Sequence, residues 1–185
     1  ESAYGSLPPG IIPPPDPLFA LNTHVVLLPY LEQEAVYRQT QDDCRNYPIT
    51  HLAPPHAGLR TLVKAYQCPA DDRQAWLHRT SKGDVVALTG YLGVSGLGRD
   101  SRPSGVCFFG SATKITDVTD GTTNTLLFGE RPPTPDSLGS WWYMGYAAVA
   151  SEPFLPVRAL RGVPEGSTLG VAYLACPPGP YSFAD

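Results

Sequence analysis

The sequence predicts an α+β fold: an N-terminal helical region followed by a small antiparallel sheet, joined by long Pro/Gly-rich loops. Three observations predict it. Apolar residues recur at helical spacing in one stretch only, residues 21–40. Short β-type segments separated by turn clusters fill most of the C-terminal half. Twenty-one prolines and 18 glycines give about a fifth of the 185 residues to types that interrupt regular structure, so the elements must be short. A helix ahead of several antiparallel strands is an α+β order.

Residues 1–17, "ESAYGSLPPGIIPPPDP", are expected to form a stiff extended arm, because successive prolines impose polyproline or turn geometry and exclude helix. "ESAY" reads as a helix tail that ends at Gly5. Residues 18–185 are expected to form one globular domain. In "LNTHVVLLPYLEQEAVYRQT", Leu21, Val25, Leu28, Leu31, Ala35 and Val36 make one helical face. Asn22 or Thr23 can cap its start, and Pro29 bends it or marks where its second half begins. A long excursion follows over residues 41–83, with a short helix or strand near 59–66. Strands are then predicted at 85–93, 105–109, 125–129 and 140–149, with a last pair at 159–163 and 168–175.

Charge narrows the function classes. Only 16% of residues are charged, and a net charge of -4 with a pI near 5.5 lacks the basic face that nucleic acids require. The longest aliphatic run, residues 25–28, falls far short of the ~20 apolar residues that cross a bilayer. With no signal peptide and a first residue of Glu, the sequence reads as a processed or trimmed piece.

Cys44, Cys68, Cys107 and Cys176 form no C-x-x-C pair, and an even, dispersed set fits an exported, oxidised protein. Of three pairings, Cys44–Cys68 with Cys107–Cys176 is the simplest, and the first bridge would contribute on the order of 3 kcal/mol. Free buried thiols are the competing reading. His51 and His56, five apart between Cys44 and Cys68, approach zinc-site spacing, but Pro54 and Pro55 separate the rings.

The stretch "TDVTDGTTNTLLFGE" (residues 116–130) is dense in oxygen ligands. It fails the EF-hand order of ligands and the P-loop requirement for a lysine. A tight Asp-Gly turn running into a strand is the stronger reading. Asp117, Asp120 and Glu130 stay as a calcium candidate. "GVSGLG" misses the nucleophile-elbow spacing, and "GLG" misses the third glycine of a dinucleotide fingerprint. "SWWYMGYAA" reads first as a strand with one buried face; Trp141, Trp142, Tyr143 and Tyr146 are its candidates for a partner or ligand surface. No residue is put forward as catalytic.

Four blocks in order, "YGSLPPG", "HVVLLPYLEQEAVY", "YQCPADD" with "GYLGVSG", and "ITDVTDGTTNTLLFGE", resemble one bacterial family. It is the prepilin-like group described as prepilin-type N-terminal cleavage/methylation domain proteins, related to type II secretion pseudopilins and type IV pilins and also filed under a solute-binding label. The resemblance covers roughly residues 4–146. It implies a pilin-like architecture, a hydrophobic helix upstream of Glu1 that is cleaved and methylated, and a further C-terminal segment. It also keeps calcium open, since a loop in related pseudopilins can hold it. The expected function is a non-enzymatic structural subunit of an extracytoplasmic filament, secretion-related or envelope assembly, in the periplasm or at the cell surface. Its partners would be copies of itself, pilin-like subunits, or secretion or envelope components, with membrane contact only through that upstream helix. The alternative is an extracytoplasmic module that binds a sugar or peptide through the aromatic strand.

Overall fold

The computed structural model describes residues 5–47, 55–72, 75–80, 83–94, 105–130 and 141–143. Its elements are two short helices and two small antiparallel sheets, an α+β composition. Helix α1 (Thr23–Leu27) and helix α2 (Glu34–Asn46) share the predicted helical stretch, separated by a 3-10 turn at Leu28–Leu31. Pro29 is the second residue of that turn, in the first-turn region where a missing N–H costs nothing. Glu32 then adopts a left-handed φ of 59°, and the N–H groups of Glu32 and Gln33 both close on the Leu28 carbonyl. That Schellman-type closure ends the first helical segment and redirects the chain into α2.

Helix α2 runs past its predicted end at Thr40 because the apolar stripe continues. Val36 and Tyr37 pack on the core, and Thr40 and Cys44 are buried one turn and two turns further on. Its outer face carries the Glu34–Arg38 and Asp42–Arg45 ion pairs at 3.0 and 2.6 Å, which are exposed and add little.

Residues 5–17 do not stand off as an arm. Ile11 is 0% and Ile12 3% exposed, so the proline-rich segment enters the core. Its backbone is held on both sides: Gly10 N–H donates to the Phe108 carbonyl at 2.8 Å, and Ile12 N–H to the Leu21 carbonyl at 2.9 Å. Gly10 has to be glycine, since a Cβ there would lie 2.7 Å from the Cys107 carbonyl oxygen. Prolines flank the paired residues rather than occupy them, so the missing donors are not needed.

The long strand predicted at residues 85–93 is two. Strand β1 (His78–Arg79) pairs antiparallel with β2 (Val85–Val86), and β3 (Tyr91–Gly93) pairs antiparallel with β4 (Phe128–Glu130). Thr89 makes the break. Its hydroxyl donates to the Tyr66 carbonyl and accepts the Tyr91 N–H, so a side chain replaces the ladder at that point. Residues 57–66 form two 3-10 turns, Ala57–Arg60 and Lys64–Tyr66. Residues 105–109 contribute one bridge, Phe109 to Ile11, and no strand. Trp141 bridges Leu88. The helix tail before Gly5 and the strands predicted after residue 150 lie outside the described residues. Among the described residues no helix is long and apolar enough to cross a membrane.

Candidate functional site

Two buried polar clusters flank the core, and the first is organised by Tyr143. Its phenol lies 2.8 Å from His56 Nδ1, and His56 Nε2 lies 3.1 Å from the Tyr47 carbonyl. A carbonyl only accepts, so Nε2 carries the ring proton and Nδ1 accepts the Tyr143 O–H. The Cys44 thiol contacts the same phenol, and Thr40 donates to the Val36 carbonyl one turn back on α2. Burial, reinforced by the neighbouring Asp43 carboxylate, pushes the Cys44 thiol up to about 11, and burial raises the Tyr143 phenol further still. A thiol protonated at neutral pH and sealed beneath a phenol is no nucleophile. Gly58 makes the packing possible, since a Cβ there would meet the Tyr143 ring at 1.9 Å.

The second cluster gathers residues 22–24 of the chain with Trp141. His24 Nε2 donates to the Tyr91 carbonyl at 2.8 Å, and the Tyr66 hydroxyl donates to the His24 carbonyl. Asn22 Nδ2 donates to the Trp141 carbonyl at 2.9 Å. Four buried polar atoms here make no geometric hydrogen bond among the described residues, Asn22 Oδ1, Thr23 Oγ1, His24 Nδ1 and Trp141 Nε1, although the Cys107 thiol lies beside the Thr23 hydroxyl. Burial lowers the His24 imidazole to about 4, with the Tyr91 carbonyl pulling weakly the other way. The sequence marked Asn22 and Thr23 as helix caps. Asn22 is the capping residue by position, but its side chain makes no cap bond and reaches across to the Trp141 segment instead.

The 116–130 stretch is a pair of turns ahead of a strand. Asp117 Oδ2 accepts the Lys114 N–H at 2.9 Å and closes the 3-10 turn Ile115–Asp117 on itself. Gly121, at φ 85°, admits the next turn, Thr122–Asn124; Asn124 Nδ2 then donates to the Asp120 carbonyl and Thr125 Oγ1 to that of Gly121. The calcium set is not assembled. Asp117 is used in its own turn, while Glu130, at the end of β4, receives the Cys68 thiol. Among the described residues no three His, Cys, Asp or Glu side chains converge as a metal site.

The cysteines are corrected too. Cys44, Cys68 and Cys107 are buried and are not joined to one another. Each has its own surroundings: Cys44 lies under Tyr143, Cys68 beside Glu130, and Cys107 in a small cluster with Ile11. The hydrogen bond to Glu130 raises the Cys68 thiol first of all, and burial holds Cys107 up at about 12. The pairing Cys44–Cys68 is therefore absent, and Cys176 lies outside the described residues. So does His51; its intended zinc partner His56 is spent on Tyr143 and Tyr47.

The aromatic surface is overturned as well. Trp141, Trp142 and Tyr143 are 4%, 0% and 0% exposed, with Trp142 Nε1 donating to the Thr61 carbonyl. They are core, and Tyr146 lies outside the described residues. Those three side chains are therefore not available on the surface for a sugar or peptide. What the surface does present has little sequence signal: Tyr30 is 60%, Trp76 52% and Leu126 59% exposed, all on or beside tight turns.

The four ordered blocks find their counterpart in one comparison. A family model described as "Protein of unknown function (DUF1559)", carrying the label SBP_bac_10, matches residues 1–152. The chain belongs to this family. No curated protein and no solved structure matches it. All four blocks that carried the resemblance fall inside the DUF1559 match, and so do both polar clusters. The buried thiol, phenol and imidazole groups are thus features of the DUF1559 region itself. Their hydrogen bonds join segments distant in sequence, residues 22 to 141, 24 to 66 and 91, and 56 to 143.

Proposed function

We propose that this DUF1559 chain is the head of a non-enzymatic, pilin- or pseudopilin-like structural subunit that packs against copies of itself or related subunits in an extracytoplasmic filament, secretion or envelope assembly. One observation carries the reading. Among the described residues the thiol, phenol and imidazole groups of Cys44, Cys107, Tyr66, Tyr143, His24 and His56 are sunk in the core, while large apolar side chains (Tyr30, Trp76, Leu126) are held outward on or beside short turns. Exposed apolar groups on a rigid frame lower the ordering cost of a protein contact. The low charge content supports the same reading, since interface cores are depleted in charge. In this picture a hydrophobic helix upstream of Glu1 anchors the parent protein before assembly.

The test is photo-crosslinking in the native cell with a photoreactive residue placed at 30, 76 or 126, and at Thr40 as a buried control. Assembly gives a ladder of crosslinked copies, or adducts with pilin-like proteins, from the exposed positions only. Monomer at every position would overturn it. The mass of the native N-terminal peptide then separates pilin processing from any other assembly: a methylated residue opening a hydrophobic helix supports the pilin kinship, and an unmodified start near Glu1 removes it.

A further inference from the structure

His24 stands where four elements meet. It belongs to α1, its Nε2 donates to the Tyr91 carbonyl of β3 at 2.8 Å, and its ring is met edge-on by Tyr66 at 4.8 Å and by Phe128 of β4 at 5.7 Å. The Tyr66 hydroxyl completes the joint by donating to the His24 carbonyl. With Nε2–H fixed by the carbonyl, the one ring atom able to take a proton is Nδ1, which is buried without a partner among the described residues. A proton there creates a second N–H with no acceptor, and a charge with no counter-ion, among the described residues, both costly in a dry site.

We propose that His24 is an acid-released latch: neutral, it ties α1 to the β3–β4 pair, and its protonation opens that seam. The groups on the surrounding elements do not relieve the charge. Tyr66 and Tyr91 are phenols that stay neutral throughout the acid range, and both are raised by burial. Glu130 of β4 is turned to the Cys68 thiol, and the His24 neighbours on its own segment, Asn22, Thr23, Val25 and Val26, are uncharged. The low value of the imidazole agrees with this geometry, since its leading cause is burial. The reading does not depend on filament assembly.

The test tracks the His24 ring by ¹H–¹⁵N NMR from pH 7 to 3.5, alongside hydrogen exchange of the β3 and β4 amides and of Val94 N–H, which donates to the Leu127 carbonyl at 2.9 Å. The ring is expected as the neutral Nε2–H form at pH 6. Between pH 6.5 and 4 the protection of the β3–β4 amides, corrected for intrinsic exchange, falls about a hundredfold, and that of the α2 amides stays level. In His24→Gln this extra fall disappears. A ring that titrates near 6.5 with protection unchanged would overturn the latch, as would the same fall in His24→Gln. Should that variant not fold, the wild-type titration alone decides.

Discussion

His56 and His24 are the same residue in nearly the same degree of burial, 1% and 3% exposed, yet they sit in opposite kinds of site. Around His56 the polar groups close on one another: Tyr143 O–H to Nδ1, Nε2–H to the Tyr47 carbonyl, Thr40 to Val36. Around His24 one ring nitrogen is bonded and the other is not, and three further polar atoms nearby share its condition. A satisfied buried network fixes one arrangement of the core. An incompletely satisfied one leaves a polar cost that solvent conditions can act on. The difference assigns the two regions different tasks, the first to hold the fold and the second to let one seam of it respond.

The largest predicted effect breaks the satisfied side. Gly58→Ala would place a methyl 1.9 Å from the Tyr143 ring, and the ring has no slack, being fully buried between His56 and Trp142. We expect a loss of about 3 kcal/mol, at the upper end for overpacking, read as a lower urea midpoint with an unchanged slope. The responsive side is tested by acid. The folded pKa of His24, about 4, lies below its ordinary 6.5, so the unfolded chain binds more protons between those values. Stability is therefore complete above pH 6.5, falls as pH drops below it, and has lost about 3 kcal/mol from this group once pH passes 4. Denaturation curves at pH 7, 5.5 and 4 check the sign and the window; a stability that rises on acidification would contradict both.

Tyr143→Phe is the next step down. It keeps the ring that fills the core and removes the oxygen on which His56 and Cys44 converge, leaving a buried Nδ1 without its donor. The expected cost is about 2 kcal/mol, the loss of a buried hydrogen bond at the centre of the cluster. Chemical denaturation measures it, and a change of a few tenths would mean that the network is incidental to packing.

The α+β class and the helical stretch were legible in the sequence; most strand bounds and the sites were not. Val25, Leu28 and Val36 lie on the core as the helical spacing predicted, which announced α1 and α2, whereas Leu31 and Ala35 of the same predicted face are exposed because the chain turns between the two helices. Pro29 announced the break between them, but not the left-handed turn at Glu32 that completes it, since a left-handed glutamate has no sequence signature. Asp117 and Gly121 announced turns, for their side chain and backbone act locally. Trp141, Trp142 and Tyr143 misled because three consecutive residues are buried; Thr61 takes one ring and His56 another, so no alternation marks a surface. The cysteines misled for a related reason: spacing along the chain says nothing of which core segment each thiol enters. Contacts between residues 22 and 141, or 56 and 143, are products of the assembled core and leave no local trace.

The smallest effect is the sharpest comparison. Thr40 and Thr23 are both buried, 0% and 2% exposed, and both are helical, so Thr→Val removes the same hydroxyl from each at nearly constant volume. At Thr40 the hydroxyl donates to the Val36 carbonyl at 2.9 Å and lies against the Tyr143 phenol, and its loss should cost about 1 kcal/mol. At Thr23 the hydroxyl makes no geometric hydrogen bond among the described residues, the Cys107 thiol beside it being a weak partner. The backbone bond from Thr23 N–H to the Gly10 carbonyl survives the change. Thr23→Val should therefore leave the urea midpoint within about 0.5 kcal/mol of the parent chain, or raise it. Equal losses at the two positions would show that the Thr23 hydroxyl is partnered in full after all, and the contrast between the clusters would narrow to the remaining atoms around His24.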